Sequence, residues 1–156
     1  MITLRRAQEQ DAALLADLSC RAFATDVDCG APEGPGGPPG YDDPAWQRRM
    51  MAACDYYAIL QDGQPIGGII AYATAPGEYE LGRIFVGPEW QGRGLGKEAL
   101  ALLWPLYPQA TVWRLDTPAW NTRTRHFYAG QGFLETSATH EFVWFERRNP
   151  PVQATP

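Results

Sequence analysis

In the stretch "RIFVGPEWQGRGLGKEAL", residues 83–100, glycines fall at 92, 94 and 96, interleaved with Arg93 and followed by Lys97, the single lysine of the chain. An apolar, strand-like run ends there and a helical pattern begins. The first N–H groups of a helix have no intrahelical partner, and the helix dipole adds positive charge at that end. Glycines at alternate positions keep side chains away from those amides, while Arg93 and Lys97 add charge, so the turn suits an anion of pyrophosphate size. The spacing is G-x-G-x-G, which departs from both the G-x-G-x-x-G dinucleotide fingerprint and the G-x-x-x-x-G-K-[ST] phosphate loop. On the glycines alone, a tight turn without a ligand remains open.

Other reactive side chains give weaker signals. Cys20, Cys29 and Cys54 are odd in number and lack a CxxC pair, so neither a disulfide framework nor a zinc site is expected, and a reduced, cytoplasmic setting is the default. His126 and His140 stand apart from any metal-ligand spacing. The formal charge of -5 and a pI near 5.0 argue against nucleic acid and anionic membranes as partners. A cationic acceptor suits that balance better. Charges interrupt every apolar run of "MITLRRAQEQDAALLADL", so neither a signal peptide nor a membrane anchor is expected.

The elements that must position the glycine turn can be read from periodicity. At 156 residues the chain is expected to form one domain over 1–148, with a loose tail at 149–156. Residues 2–6 read as a strand. The next run places Leu14, Leu15, Leu18, Ala22 and Phe23 on one helical face. Residues 28–43 are saturated with Gly and Pro and read as a long loop within the domain. Asp43 then caps a short helix that begins at Pro44. Three strands follow, "YYAIL", "IGGIIAYATA" and "EYELGRIFV", joined by hairpin-type turns. The helix after the glycine turn carries Leu95, Ala99, Leu102 and Leu103 on one stripe and stops at Pro105. A strand at 111–117, a helix from Thr122 to near Gly130, and one or two closing strands complete the order. The crossover from Val86 to Thr111 predicts a parallel pair inside a mixed, mostly antiparallel sheet flanked by helices, an α/β (α+β) domain.

Val86, Pro88, Gln91, Gly94 and Gly96, followed by Asn121, Tyr128, Gly132 and Phe133, resemble the signature of the GNAT superfamily of acetyl-CoA-dependent N-acetyltransferases. The specific motifs cover about Leu81 to Phe133, and the element order agrees over nearly the whole chain. Thr124 departs from the small apolar residue common there, and the Gly/Pro-rich segment is longer than usual. The resemblance implies a donor cleft where two strands splay apart, with acetyl-CoA as acyl donor. The donor's pantetheine would pair with backbone at Ile84, Phe85 and Val86. Its diphosphate would lie on Gln91, Gly92, Arg93, Gly94, Leu95, Gly96 and Lys97.

The implied reaction moves an acetyl group to a primary amine of a small molecule or a peptide by direct attack in a ternary complex. Backbone N–H groups of Phe85 or Val86 would stabilise the oxyanion. An alkyl ammonium with a pKa near ~10 must first lose a proton, and Glu80 and Glu78 are the expected bases, with Asp116 a more distant third. Regular alternation places Glu80 on the face of Gly82, Ile84 and Val86. Tyr128 would protonate the departing thiolate, and Asn121 would contact the pantetheine or position its helix. An aromatic wall including Tyr41, with Asp26, Asp28, Asp42 or Asp43, would suit a cationic acceptor. A noncatalytic acyl-CoA-binding module, a hydroxyl acceptor and a longer acyl donor fit the same motif, and the family is compatible with homodimers.

Overall fold

A computed structural model of the chain describes residues 1–31 and 37–148. Residues 32–36 of the expected loop and the expected tail at 149–156 lie outside the described residues. The elements are β1 (Ile2–Arg6), α1 (Ala12–Ala24), α2 (Pro44–Ala53), β2 (Asp55–Gln61), β3 (Gln64–Ala75), β4 (Glu78–Val86), α3 (Leu95–Leu103), β5 (Val112–Pro118), α4 (Thr122–Gly130), β6 (Leu134–Ala138) and β7 (Phe142–Arg148). The seven strands form one sheet in the order β1-β2-β3-β4-β5-β7-β6. Only β4 and β5 are parallel, as the α3 crossover demands.

Local chemistry explains the boundaries. Asp62 and Gly63 both take positive φ (50° and 84°), the type I′ geometry that closes the tight β2–β3 hairpin. The Asp43 carboxylate accepts from the Ala45 N–H at 2.9 Å, and Pro44 occupies the first turn of α2, where its missing N–H costs nothing. Asn121 does the same for α4, its Oδ1 accepting from the Thr124 N–H at 3.1 Å.

The sheet is covered on both faces. Leu95, Ala99, Leu100 and Leu103 of α3 and Tyr128 of α4 pack with Ile69, Leu81, Trp113 and Leu115. On the other face Leu15, Leu18 and Ala22 of α1, with Trp46 and Met50 of α2, pack with Tyr56, Ile70 and Phe85. Two expected core positions are corrected: Leu14 and Leu102 are exposed, at 44% and 40%, whereas Ala12, Ala16 and Leu100 are buried. Leu15, Leu18 and Ala22 of α1 and Leu95, Ala99 and Leu103 of α3 are buried as expected, so the stripes keep their direction and differ only at their margins.

Two irregularities in β4 set the site. Ile70 pairs with Arg83 and Ala71 with Leu81, which leaves Gly82 as an extra residue, a β-bulge. Before the bulge Leu81 faces the α3–α4 layer; after it Ile84 and Val86 face that layer and Phe85 faces α1. The expected alternation thus fails, and Glu80 lies on the opposite face from Ile84 and Val86. Secondly, β4 pairs with β5 only at Glu78, Tyr79 and Glu80, opposite Val112, Trp113 and Arg114. Beyond Glu80 the two strands part, and β5 continues to Pro118 paired only with β7.

Candidate functional site

The wedge between β4 and β5 opens toward the glycine turn. Gln91 fixes the turn to the strand end, its Nε2 donating to the Val86 carbonyl at 2.9 Å. Gly92 and Gly94 have φ of 77° and 75°, left-handed conformations that glycine adopts without steric cost. A Cβ at either would meet nothing within 4 Å among the described residues. Gly96 is different: a Cβ there would press the Phe127 ring at 3.3 Å, so its absence lets α3 and α4 approach. The N–H groups of residues 92–97 donate to no backbone acceptor among the described residues, the first helical bond being Glu98 N–H to the Gly94 carbonyl at 3.1 Å.

A cleft of about 590 Å³ runs from that turn into the wedge. Ile84, Phe85, Val86, Gln91, Gly92, Gly94, Leu95, Gly96, Lys97 and Tyr128 line it, together with Arg123, Thr124 and Phe127 of α4 and Phe23 and Asp26 at the end of α1. Of the residues expected there, Arg93 and Asn121 are not among the lining. Free amides at a helix start, two open glycine positions and Lys97 suit a phosphate-bearing ligand at this end. The rest of the wall is mostly apolar.

A second cleft, of about 710 Å³, lies on the far side of the wedge and is lined by Arg83, Ile84, Asp116, Trp120, Asn121 and Phe142 among others. Phe23, Asp26, Ile84, Thr124 and Tyr128 line both, so the two clefts meet where β4 and β5 diverge. Tyr128 is 8% exposed. Burial above all, and then the nearby Asp116 charge, pushes its phenol above the usual tyrosine range. Thr124, the departure from the family pattern, bonds its hydroxyl to that of Thr117 at 2.7 Å, tying α4 to β5. Asn121 is occupied as the α4 cap and with Asp26, its Nδ2 donating at 3.5 Å, so it positions the helix.

The carboxylates divide clearly. Glu78 accepts from Arg114 Nη1 at 2.7 Å. Glu80 stands opposite Tyr72 in the ladder; burial of Tyr72 and then the Glu80 charge push that phenol up to about 12. Neither Glu78 nor Glu80 lines either cleft, whereas Asp116 lines the second. Asp116 forms no ion pair among the described residues. Asp26 is held by Arg123 Nη2 at 3.2 Å, and the desolvation of its site outweighs that pairing and raises its carboxyl above the usual range. Tyr41 lines neither cleft and packs edge-on against Phe23, ring centroids 6.2 Å apart. Asp43 is occupied as the α2 cap.

Two contributors escaped sequence reasoning. A Cβ at Gly67 would lie 2.0 Å from the Phe85 carbonyl oxygen, so this glycine lets β3 hold the end of β4 close. The adjacent pair Gly67-Gly68 inside an apolar strand was the available signal, since strand glycines mark close backbone approach. Arg123 reaches from α4 to the Thr25 hydroxyl at 2.7 Å and to Gln91 Oε1 at 3.3 Å, joining three walls of the first cleft. Nothing in the spacing of Arg123 announces that reach. No group of three His, Cys, Asp or Glu side chains is gathered to hold a metal among the described residues, and no described helix is long and apolar enough to cross a membrane.

Comparison with known proteins adds an independent line. The Acetyltransferase (GNAT) family model matches residues 22–133. The uncharacterized protein YrkN of Bacillus subtilis (strain 168) is 30% identical over 76 residues, 48% of this chain and 41% of that protein, so the match spans well under half of that relative's length. Among solved structures, PaiA N-acetyltransferase of Thermoplasma acidophilum, in complex with coenzyme A, superposes with a TM-score of 0.75 at 17% identity, covering 95% of this chain and 99% of that one. An acetyltransferase of Thermus thermophilus gives 0.78 at 18% identity, covering 95% and 97%. The aminoglycoside acetyltransferase AAC(6')-Ib in complex with coenzyme A gives 0.74 at 20% identity, covering 96% of each chain. At these identities the likeness is one of fold.

Proposed function

The chain belongs to the GNAT acetyltransferase family, and we propose that it is an N-acetyltransferase that moves the acetyl group of acetyl-CoA to a primary amine by direct attack in a ternary complex. The observation that carries this reading is the meeting of two clefts at Ile84 and Tyr128, between strands that have parted. One cleft has the free amides a diphosphate needs; the other brings a second ligand to the same point.

Acetyl-CoA supplies the acyl group already activated as a thioester. The amides of residues 92–97 and the Lys97 ammonium hold the diphosphate end; two proteins of the same fold are in complex with coenzyme A. The unpaired edge of β4 from Leu81 to Val86 offers N–H and C=O groups to the amide-bearing arm. An N–H of Phe85 or Val86 stabilises negative charge developing on the carbonyl oxygen, an effect worth roughly 3 kcal/mol per preorganised donor.

Tyr128 hydrogen-bonds the departing sulfur. A thiol has a pKa near ~8.5 and a phenol near ~10, and burial raises the latter further, so a shared hydrogen bond is favoured over complete proton transfer. Asp116 takes up the proton that the ammonium loses before attack, directly or through water, because among the three carboxylates considered it is the one that lines the acceptor cleft. The second N–H proton, released as the tetrahedral intermediate collapses, passes to the departing thiolate or to water. Asn121 and Thr124 act at one remove, by fixing α4 and with it Tyr128.

The test is a panel of amines incubated with acetyl-CoA, read by thiol release and by the mass of the product. Amine-dependent thiol release with a product heavier by one acetyl group is expected. Calorimetric binding of coenzyme A without turnover on any amine or alcohol would instead establish a noncatalytic binding module.

A further inference from the structure

The second cleft contains two opposite charges, neither of which is paired with an opposite charge among the described residues. Arg83 and Asp116 project from β4 and β5 to the α1–α2 side of the sheet, one on each side of the gap where the strands diverge. Both line the cleft, yet no nitrogen–oxygen distance between them falls within the 4.0 Å of an ion pair. Arg83 has no carboxylate partner among the described residues either. Its guanidinium lies flat over the Trp46 ring, 4.2 Å from the centroid, and Nη2 donates to the Pro39 carbonyl at 2.9 Å. Nη1 is shielded from solvent and has no hydrogen-bond partner among the described residues.

A guanidinium stays protonated in a protein, so this is a partly buried positive charge held in place by stacking and one neutral acceptor. Burial without a counter-charge is costly, and a carboxylate drawn to the exposed part of the guanidinium would offset that cost. Asp116, across the gap, offers the reverse: an exposed carboxylate that an ammonium would complete. The pair therefore has the charge pattern of a dipolar ligand, amine at one end and carboxylate at the other, with the amine end on the charge that Tyr128 senses.

We propose that the acceptor cleft takes a primary amine that also carries a carboxylate, an amino acid or a short peptide, with the carboxylate on Arg83 and the ammonium beside Asp116. The word acceptor rests on the acetyl-transfer reading; the binding of such a ligand does not. Arg83 is then a specificity-determining residue, one that selects the acceptor without touching the reacting atoms.

Calorimetry on the full chain, with and without coenzyme A, compares amino acids with amines of the same skeleton that lack the carboxylate: alanine against ethylamine, lysine against cadaverine, phenylalanine against phenethylamine. A dipeptide beside its free amino acid separates the two sources of the carboxylate. At least one amino acid or dipeptide is expected to bind about 10- to 100-fold tighter than its matched amine, the range for a charge-assisted hydrogen-bonded pair. In Arg83→Gln that ratio falls to near one, and in Arg83→Lys to an intermediate value, ratios within one variant being insensitive to its overall stability. Equal binding of amino acids and matched amines by the parent protein overturns the proposal, as does a preference that survives Arg83→Gln. Tight, Arg83-dependent binding without any acetylated product upholds this site and removes the acetyl-transfer reading instead.

Discussion

Glu80 and Ile84 face opposite sides of the sheet although they stand four positions apart on one strand, because Gly82 sits between them as an unpaired bulge. That single extra residue decides which side chains can reach the wedge. It sends Ile84 to the line where the two clefts meet and leaves Glu80 against Tyr72, outside both.

Deleting Gly82 removes the extra residue, so residues 83–86 must either slip in register or exchange faces. Phe85 would leave its place beside Leu15, Leu18 and Ile70, and coenzyme A binding is expected to disappear together with a large drop in thermal midpoint. A deletion variant with parental melting behaviour and parental affinity by calorimetry would contradict the role given to the bulge.

Gly67→Ala tests the strand end directly. The added methyl meets the Phe85 carbonyl oxygen at 2.0 Å, a backbone atom that cannot swing aside. A stability loss of about 1–3 kcal/mol, as for overpacked cores, is expected in urea titration, with a fall in turnover from displaced Phe85 and Val86 amides. Unchanged turnover at reduced stability would separate the two effects and argue against those amides.

The three glycines of the turn are predicted to behave differently. Gly92→Ala and Gly94→Ala have space for a methyl and face only the strain of a left-handed backbone, roughly 1–2 kcal/mol each, expressed as weaker coenzyme A binding. Gly96→Ala has an ordinary φ but presses Phe127, so its main effect falls on the α3–α4 contact and the melting temperature. Comparing affinity and thermal midpoint across the three variants checks the division.

Tyr128→Phe removes one hydrogen bond to a charged sulfur and should lower kcat by about 10- to 100-fold while leaving coenzyme A affinity near its parental value. Because burial, aided by Asp116, lifts the phenol above its usual range, this group stays protonated through about pH 10, and it contributes no alkaline loss of rate below that point. A kcat profile falling near about pH 8–9 in the parent but not in Tyr128→Phe would show the phenol ionising early, and the assignment would fail.

Asp55 makes a pH-dependent contribution to stability. Burial would raise its carboxyl, but hydrogen bonds from Tyr107 at 2.6 Å and Arg6 at 2.8 Å outweigh that and hold it below the usual range. A carboxylate depressed on folding contributes stability that is complete above its unfolded pKa of ~3.9 and is lost as pH falls through the folded value. Asp55→Asn should therefore flatten the fall of the urea midpoint below about pH 4 and leave its slope above about pH 5 unaltered.

Much of this architecture was legible in the chain because its elements announce themselves locally. The Asp62-Gly63 hairpin, the Asp43 cap and the crossover after Val86 each depend on a few adjacent residues, and each occurs where their chemistry places it. The face assignment of Glu80 failed for the opposite reason. A bulge is a property of the pairing between β3 and β4, and simple alternation counts residues on one strand only. Asp116 was ranked behind two glutamates because the sequence gives its distance along β5 and nothing of the gap it borders. The charge on Arg83 was likewise silent until Trp46 and Pro39 were seen around it.

The parting of β4 from β5 after Glu80 has a further consequence. Over half its length a strand in the middle of a seven-stranded sheet has the hydrogen-bonding capacity of a border strand, the kind that ordinarily invites another polypeptide to add itself. Here that capacity sits at the bottom of a crevice with Arg123, Asp26 and Gln91 linked at its rim. A slender chain with amides along it can lie down there. The fold thereby keeps an adhesive edge inside a cleft, where a small guest rather than the sheet itself completes it.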